Sequence, residues 1–346
     1  MLTNGAPLDV ALAVGNCAAR FNPVTRQWSA VNLTTNGFLD RSPALSAATN
    51  GTALVVWIQN TNNSVLGASN APNTIRSLFW NGSAWQNAGV VATNVGMVLW
   101  STLAFNGMGG LFLATIDADS DQSTTGDQEL WGAIFYDPWA GWGPFTRFTQ
   151  NALADTKPQC AFDGLGRLVT TWHQASNVVM WIDDLDFQNP TVVGSVGDSS
   201  SAKDFKLVTG PAGQISIVWE DLAADGTGPD PMLLNYDPTL RAWSQPLRLL
   251  TNTNQLERSF SGAYAPDGAL LLAYNRVDVR PDTNGVPQFG AVDLMFLDYR
   301  IGNDLAVNSA NQFVHKQSRA GAERHGHGRG SQHGGTGRHE RAGGVF

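Results

Sequence analysis

The sequence predicts an all-β fold, a β-propeller of about six four-stranded blades. Three observations carry that expectation. The chain repeats with a period of about 55 residues, each repeat holds a glycine at a fixed place and four of the five end on an aromatic, and a second turn of Asn or Asp, often followed by Pro or Gly, recurs after them. Five segments align without gaps: SPALSAATNGTALVVW ending at Trp57, STLAFNGMGGLFLAT at Thr115, PQCAFDGLGRLVTTW at Trp172, FKLVTGPAGQISIVW at Trp219 and FSGAYAPDGALLLAY at Tyr274. Successive ends lie 58, 57, 47 and 55 residues apart.

The first two strands of a blade come from these segments. Gly51, Gly109, Gly166, Gly213 and Gly268 fall in one column, where positive φ closes a tight hairpin. The runs that follow (ALVVW, ISIVW, ALLLAY) are short, rich in β-branched residues and almost wholly apolar, as in strands covered on both sides. The third and fourth strands flank the second turn. Its copies are Phe21-Asn22-Pro23…Trp28, Trp80-Asn81-Gly82…Trp85, Tyr136-Asp137-Pro138…Trp142 and Tyr236-Asp237-Pro238…Trp243, with a degenerate one in VMWIDDLDFQNP at 179–190. No helical period is present, and stacked sandwiches would repeat at about 90–100 residues. Residues 1–308 are assigned to the propeller, whose first blade is incomplete. A seven- or eight-bladed ring truncated at its start is the alternative. Residues 309–346, rich in Gly, Arg and His, are expected to form a disordered tail.

The net charge is −8, and residues 315–346 hold six Lys/Arg against two Glu, so the rest has 15 basic and 27 acidic residues, a charge of −12. Such acidity argues against nucleic acid as a partner and suits cations such as calcium. Two cysteines, Cys17 and Cys160, are too few for a disulfide framework and read as buried small hydrophobes. No apolar run reaches the roughly 20 residues of a membrane span, so no insertion is expected. The start, MLTNGAPLDV, lacks a basic region and carries Asp9, so it does not read as a signal peptide. Either the protein is cytosolic or the chain begins inside a longer secreted one.

Blade geometry places the Gly turns and the Asp-Pro turns on one face and the strand 2–3 loops on the other. The latter (59–76, 116–130, 220–231 and 275–291) are longer and variable, the usual place for a binding site on a rigid scaffold. One holds Asp117-Ala118-Asp119-Ser120-Asp121, then Asp127 and Glu129. Alternating carboxylates in a tight loop can converge on calcium; Asp117, Asp119, Asp121 and Asp127 are the candidate ligands. Gln122 replaces the glycine of an EF-hand, and no acid stands at its twelfth position. Asp221, Asp225 and Asp230 form a looser cluster. A column at the loop mouths contains Gln59, Gln174, Asp221 and Arg276 beside His173 and Glu220, the candidates for the binding face. Ordinary polar strand ends account for the same residues. Trp57, Trp172 and Trp219 read as packing between blades. Trp131, Trp139 and Trp142 gather near an exposed hairpin that offers glycan contact.

No motif of a serine hydrolase, zinc peptidase or phosphate loop occurs. The repeats resemble sialidase propellers superficially. The Ser-x-Asp-x-Gly-x-Thr-Trp box of that family is missing, so none of its residues is carried over. The stretch VDLMFLDYRIGNDLAV (292–307) resembles the junction in large bacterial surface proteins where a propeller-like region runs into CARDB (cell-adhesion-related) domains. The tail does not continue that resemblance. Its His-Gly-His-Gly alternation suits a frame-shifted reading of a CARDB start. The resemblance implies an extracellular or cell-surface module of a longer protein, monomeric and non-catalytic, which binds a glycan or a surface protein with calcium as a possible aid. The alternatives are a carbohydrate-active enzyme, hydrolase or lyase, with its site at the funnel mouth, or a spacer.

Overall fold

The computed structural model describes residues 11–315 except 15–16, 23, 122–123, 176, 183–190, 196–204, 223–228, 238–241, 251–254 and 301–308. Among the described residues every regular element is a strand. The first sheet has three: β1 (Ala11–Val14), β2 (Cys17–Asn22) and β3 (Gln27–Asn32). The second has β4 (Leu39–Ala47), β5 (Ala53–Asn60), β6 (Asn73–Trp80) and β7 (Trp85–Val95). In the third, β8 (Met97–Phe105), β9 (Gly110–Asp117) and β10 (Gln128–Asp137) are followed by an outer strand in two pieces, β11 (Gly141–Trp142) and β12 (Thr146–Arg147). The fourth holds β13 (Asp155–Phe162), β14 (Leu168–Gln174), β15 (Asn177–Ile182) and β16 (Thr191–Ser195). The fifth repeats the split edge, with β17 (Phe205–Thr209), β18 (Ile215–Leu222), β19 (Pro229–Asp237), β20 (Ala242–Trp243) and β21 (Leu247–Arg248). The sixth has β22 (Gln255–Tyr264), β23 (Ala269–Pro281), β24 (Pro287–Arg300) and β25 (Ser309–His315).

Every pairing is antiparallel and sequential, and successive sheets meet through β1, β4, β8, β13, β17 and β22. This is the β-propeller that the repeat predicts, in six sheets with the first one short. β25 pairs with β24 from Leu294↔His315 to Arg300↔Ser309, so the sheet runs past the boundary expected at residue 308. Residues 316–346 lie outside the described residues.

Strand 2 is the buried centre of the second to fifth blades. All eight residues of β5 and of β9 are buried, because each is covered on both faces by neighbouring sheets. Phe79, Phe105 and Phe135 join the second and third sheets, with ring centres 6.0–6.4 Å apart. Trp142 crosses the same interface and donates from Nε1 to Ser77 Oγ at 2.9 Å.

The turn glycines behave as the column requires, with one exception. Gly51, Gly166, Gly213 and Gly268 have φ of 81–85°, but in the third sheet the positive φ belongs to Gly107 (93°) and not to Gly109. The hairpin there is shorter, closing from Asn106 N to the Gly109 carbonyl, so the alignment drawn through Gly109 is displaced within the turn. A second correction concerns residues 275–291. They were expected as a loop, yet β23 and β24 keep pairing out to Pro281↔Pro287 and close in a tight turn. A third concerns the cysteines: Cys160 is buried, while Cys17 is exposed and donates to Asn32 Oδ1; both are free thiols.

Candidate functional site

Among the described residues, the strand 2–3 loops leave the same ends of their strands, as the sheet order demands. The loop after β5 is held by two buried asparagines. Asn60 donates to Asn73 Oδ1 (3.1 Å) and to the Ala71 carbonyl, and Asn73 donates to the carbonyls of Leu66 and Gly96. A long loop pinned from inside can hold a fixed shape.

The loop between β9 and β10 brings three acids together. One carboxylate oxygen each from Asp117, Asp119 and Asp127 lies within 4.8 Å of the others. Two oxygens on one calcium ion, each at about 2.4 Å, are separated by at most about 5 Å, so the spacing fits a shared hard cation. Asp117 ends β9 and is buried; Ser120 at φ 62° turns the chain back over it. The Asp121 amide donates to Asp117 Oδ1 (3.0 Å) and Asp119 Oδ1 (2.8 Å), and the Asp119 amide donates to Asp127 Oδ2. Burial first, then the Asp127 and Asp119 charges, push the Asp117 carboxyl above its ordinary value, against a hydrogen bond from Gln128. The Asp121 amide holds the Asp119 carboxyl below its own. Asp127 Oδ1 is buried without a hydrogen-bond partner among the described residues. Of the four expected ligands, the structure gathers three; Asp121 contributes its backbone amide to the cluster. Glu129 is committed elsewhere, to Arg147 at 2.6 Å and the Asn151 amide.

The loop-mouth column is present, but most of its members hold the sheets together. Asp40 accepts from Trp57 Nε1 (3.1 Å) and Gln59 Nε2 (2.9 Å), and Gln59 Oε1 accepts from Arg76 Nε (2.6 Å). Asp155 repeats this with Trp172 Nε1 (2.8 Å) and Gln174 Nε2 (3.2 Å), adding Asn151 Nδ2 (2.7 Å). His173 is fully buried, edge-on to Phe205 at 4.9 Å, and so does not face a funnel. Glu220 accepts from the Ser259 amide, linking the fifth and sixth sheets, and lines a small cavity with Lys206 and Phe260. Arg276 stands opposite Asp293 at 3.8 Å. Asp221 pairs in register with Asp230, and Asp225 lies outside the described residues.

Asp40 and Asp155 went unread in the sequence, although a signal exists. Each stands 17 residues before the aromatic that ends its segment, and Glu257 stands in the same place before Tyr274. Each is also two residues before a left-handed bulge residue: Ser42, Lys157 and Ser259. The bulge lets one acid reach both the strand-end Trp and the Gln beyond it. Trp57, Trp172 and Trp219 are buried, in keeping with packing between blades. Of the exposed-hairpin trio only Trp139 is open, at 97%; Trp131 stacks on Phe145 and Trp142 packs against Phe135.

No family model matches the sequence, and no curated protein matches it. Solved structures do. A protein of unknown function from Dyadobacter fermentans DSM 18053 is 11% identical with a TM-score of 0.48, over 82% of this chain and 84% of its own. The NanB sialidase of Streptococcus pneumoniae is 9% identical with a TM-score of 0.42, over 77% of this chain and 66% of that one. A Bacteroides ovatus xyloglucan-locus protein, GH43B, is 12% identical with a TM-score of 0.38, over 73% and 55%. The site is read from its own residues.

Proposed function

We propose that this chain is a non-catalytic binding propeller, an extracellular or cell-surface module whose strand 2–3 face takes a glycan, or failing that a surface protein, with calcium held by Asp117, Asp119 and Asp127. The convergence of those three carboxylates carries the reading, supported by the commitment of Asp40, Asp155, Glu129 and Glu220 to structural hydrogen bonds. Acids already occupied by several donors are poor proton shuttles, whereas a rigid, loop-bearing face suits recognition. The CARDB-like junction at 292–307 supports placement in a longer surface protein, and a monomer is expected.

Thermal unfolding with calcium against EDTA, paired with a glycan array in both conditions, tests this. Calcium should raise the midpoint in the wild type and leave Asp119→Asn unmoved. No shift and no glycan retained would sink the reading and leave a spacer.

A further inference from the structure

The interface between the first and second sheets is built differently from the next one. In the second sheet Phe79 precedes Trp80, the residue paired with the turn tryptophan Trp85, and fills the core against the third sheet. In the first sheet the matching pair is Phe21↔Trp28, and the residue in the place of Phe79 is Arg20. Its neighbours Ala18 and Ala19 are small. The wall that fills the next interface is here replaced by the methyl group of Ala18 and the cation of Arg20, which share one face of β2. What remains is a cleft of about 760 Å³ between the two sheets. Trp80 and Trp85 line it with ring centres 5.6 Å apart, and the Arg20 guanidinium sits 5.1 Å from the centre of the Trp80 ring. Among the described residues Arg20 is the one charged side chain in the lining, on a chain whose net charge is −8. Asn32, Thr49 and Ser83 add hydroxyl and amide groups along the walls.

We propose that this cleft is a binding site for an acidic sugar, a pyranose ring bearing a carboxylate, as in a uronic-acid oligosaccharide. The volume is that of a small-molecule site. Indole faces are electron-rich and attract the polarised C–H face of a pyranose. A guanidinium in a mostly apolar cleft matches a carboxylate in geometry and charge. Hydroxyl and amide groups on the walls match sugar hydroxyls. The proposal rests on the glycan reading but uses a different part of the molecule from the acidic loop.

Calorimetric titration in EDTA, which silences any calcium effect, tests it with tetragalacturonate against the neutral cellotetraose. The wild type should bind the uronate and not the neutral sugar. Arg20→Gln should weaken uronate binding about tenfold or more, since a charge-assisted hydrogen bond is lost. Arg20→Phe should restore the missing core residue, raise the unfolding midpoint and abolish binding. Equal binding of both sugars overturns the acidic selectivity while sparing the glycan reading. No uronate binding overturns the proposal, and a different glycan retained on the array then keeps the broader reading alive. Uronate binding that survives both Arg20 variants but falls in Asp119→Asn puts the site in the acidic loop and overturns the cleft.

Discussion

At the scale of single residues, two buried carboxyls each add a pH-dependent share to stability. Burial raises the Asp117 and Asp155 carboxyls above their ordinary value of 3.8. The folded state then holds a proton that the unfolded chain has already released. The stabilisation is complete below the ordinary value and is lost as pH rises through the folded one. In EDTA, the share of stability that these two carboxyls contribute should therefore fall as pH climbs from about 4. Asp117→Asn removes its share, so melting curves across pH should be flatter and the midpoint at neutral pH higher by a few degrees. The same variant should lose the calcium shift, because it removes one of the three carboxylates that would hold the ion. A midpoint at neutral pH unchanged or lower in EDTA would count against that account of Asp117. Asp155 is different in kind. Asp155→Ala strands Trp172 Nε1, Asn151 Nδ2 and Gln174 Nε2 and should cost about 3 kcal/mol by denaturant titration, against about 1 kcal/mol for Asp155→Asn.

At the scale of elements, each hairpin was legible because its signals are local. A turn glycine and an Asp-Pro or Asn-Gly pair act within a few residues, and among the described residues turns of both kinds form where expected, save that Gly107 takes the place of Gly109. Gly51 isolates the backbone contribution: an added Cβ would meet nothing within 4 Å, so the cost of Gly51→Ala comes from φ 82° alone. It should be about 1 kcal/mol, with Gly51→Asn costing less, in equilibrium unfolding. The misreadings have equally local causes. Gly107 and Gly109 are two residues apart, and an ungapped alignment cannot choose between them. The 275–291 segment holds Pro and Gly, which read as loop, but the flanking residues Val277, Val279, Phe289 and Val292 keep a strand pattern that the sheet extends. The acid at the start of strand 1 was missed because its partners lie 17 and 19 residues on, beyond any local pattern.

At the scale of the molecule, the sheets are not equally protected. β9 is wholly buried, whereas all six residues of β3 are exposed, Trp28 at 54%. Hydrogen exchange should be slowest in β5, β9 and β14 and fastest in the first sheet, since local opening there disrupts little packing. An acidic-sugar ligand in the cleft should slow exchange in β2 and β3 while leaving β9 unchanged. Uniform protection across all sheets would contradict the open interface.

The sequence by itself determined the repeat, the all-β class, the turn positions and the acidic loop, because each is written as a spacing along the chain. The grouping of Asp117, Asp119 and Asp127 was also legible, since they share one loop. Only the tertiary structure decided which polar residues are free to act. Gln59, His173, Gln174 and Glu220 stand where a funnel mouth was expected, yet packing between strands and sheets claims them. The cleft beside Arg20 was likewise invisible. It arises from what two sheets fail to bring to a shared interface, and a space between two sheets has no signature in either segment alone.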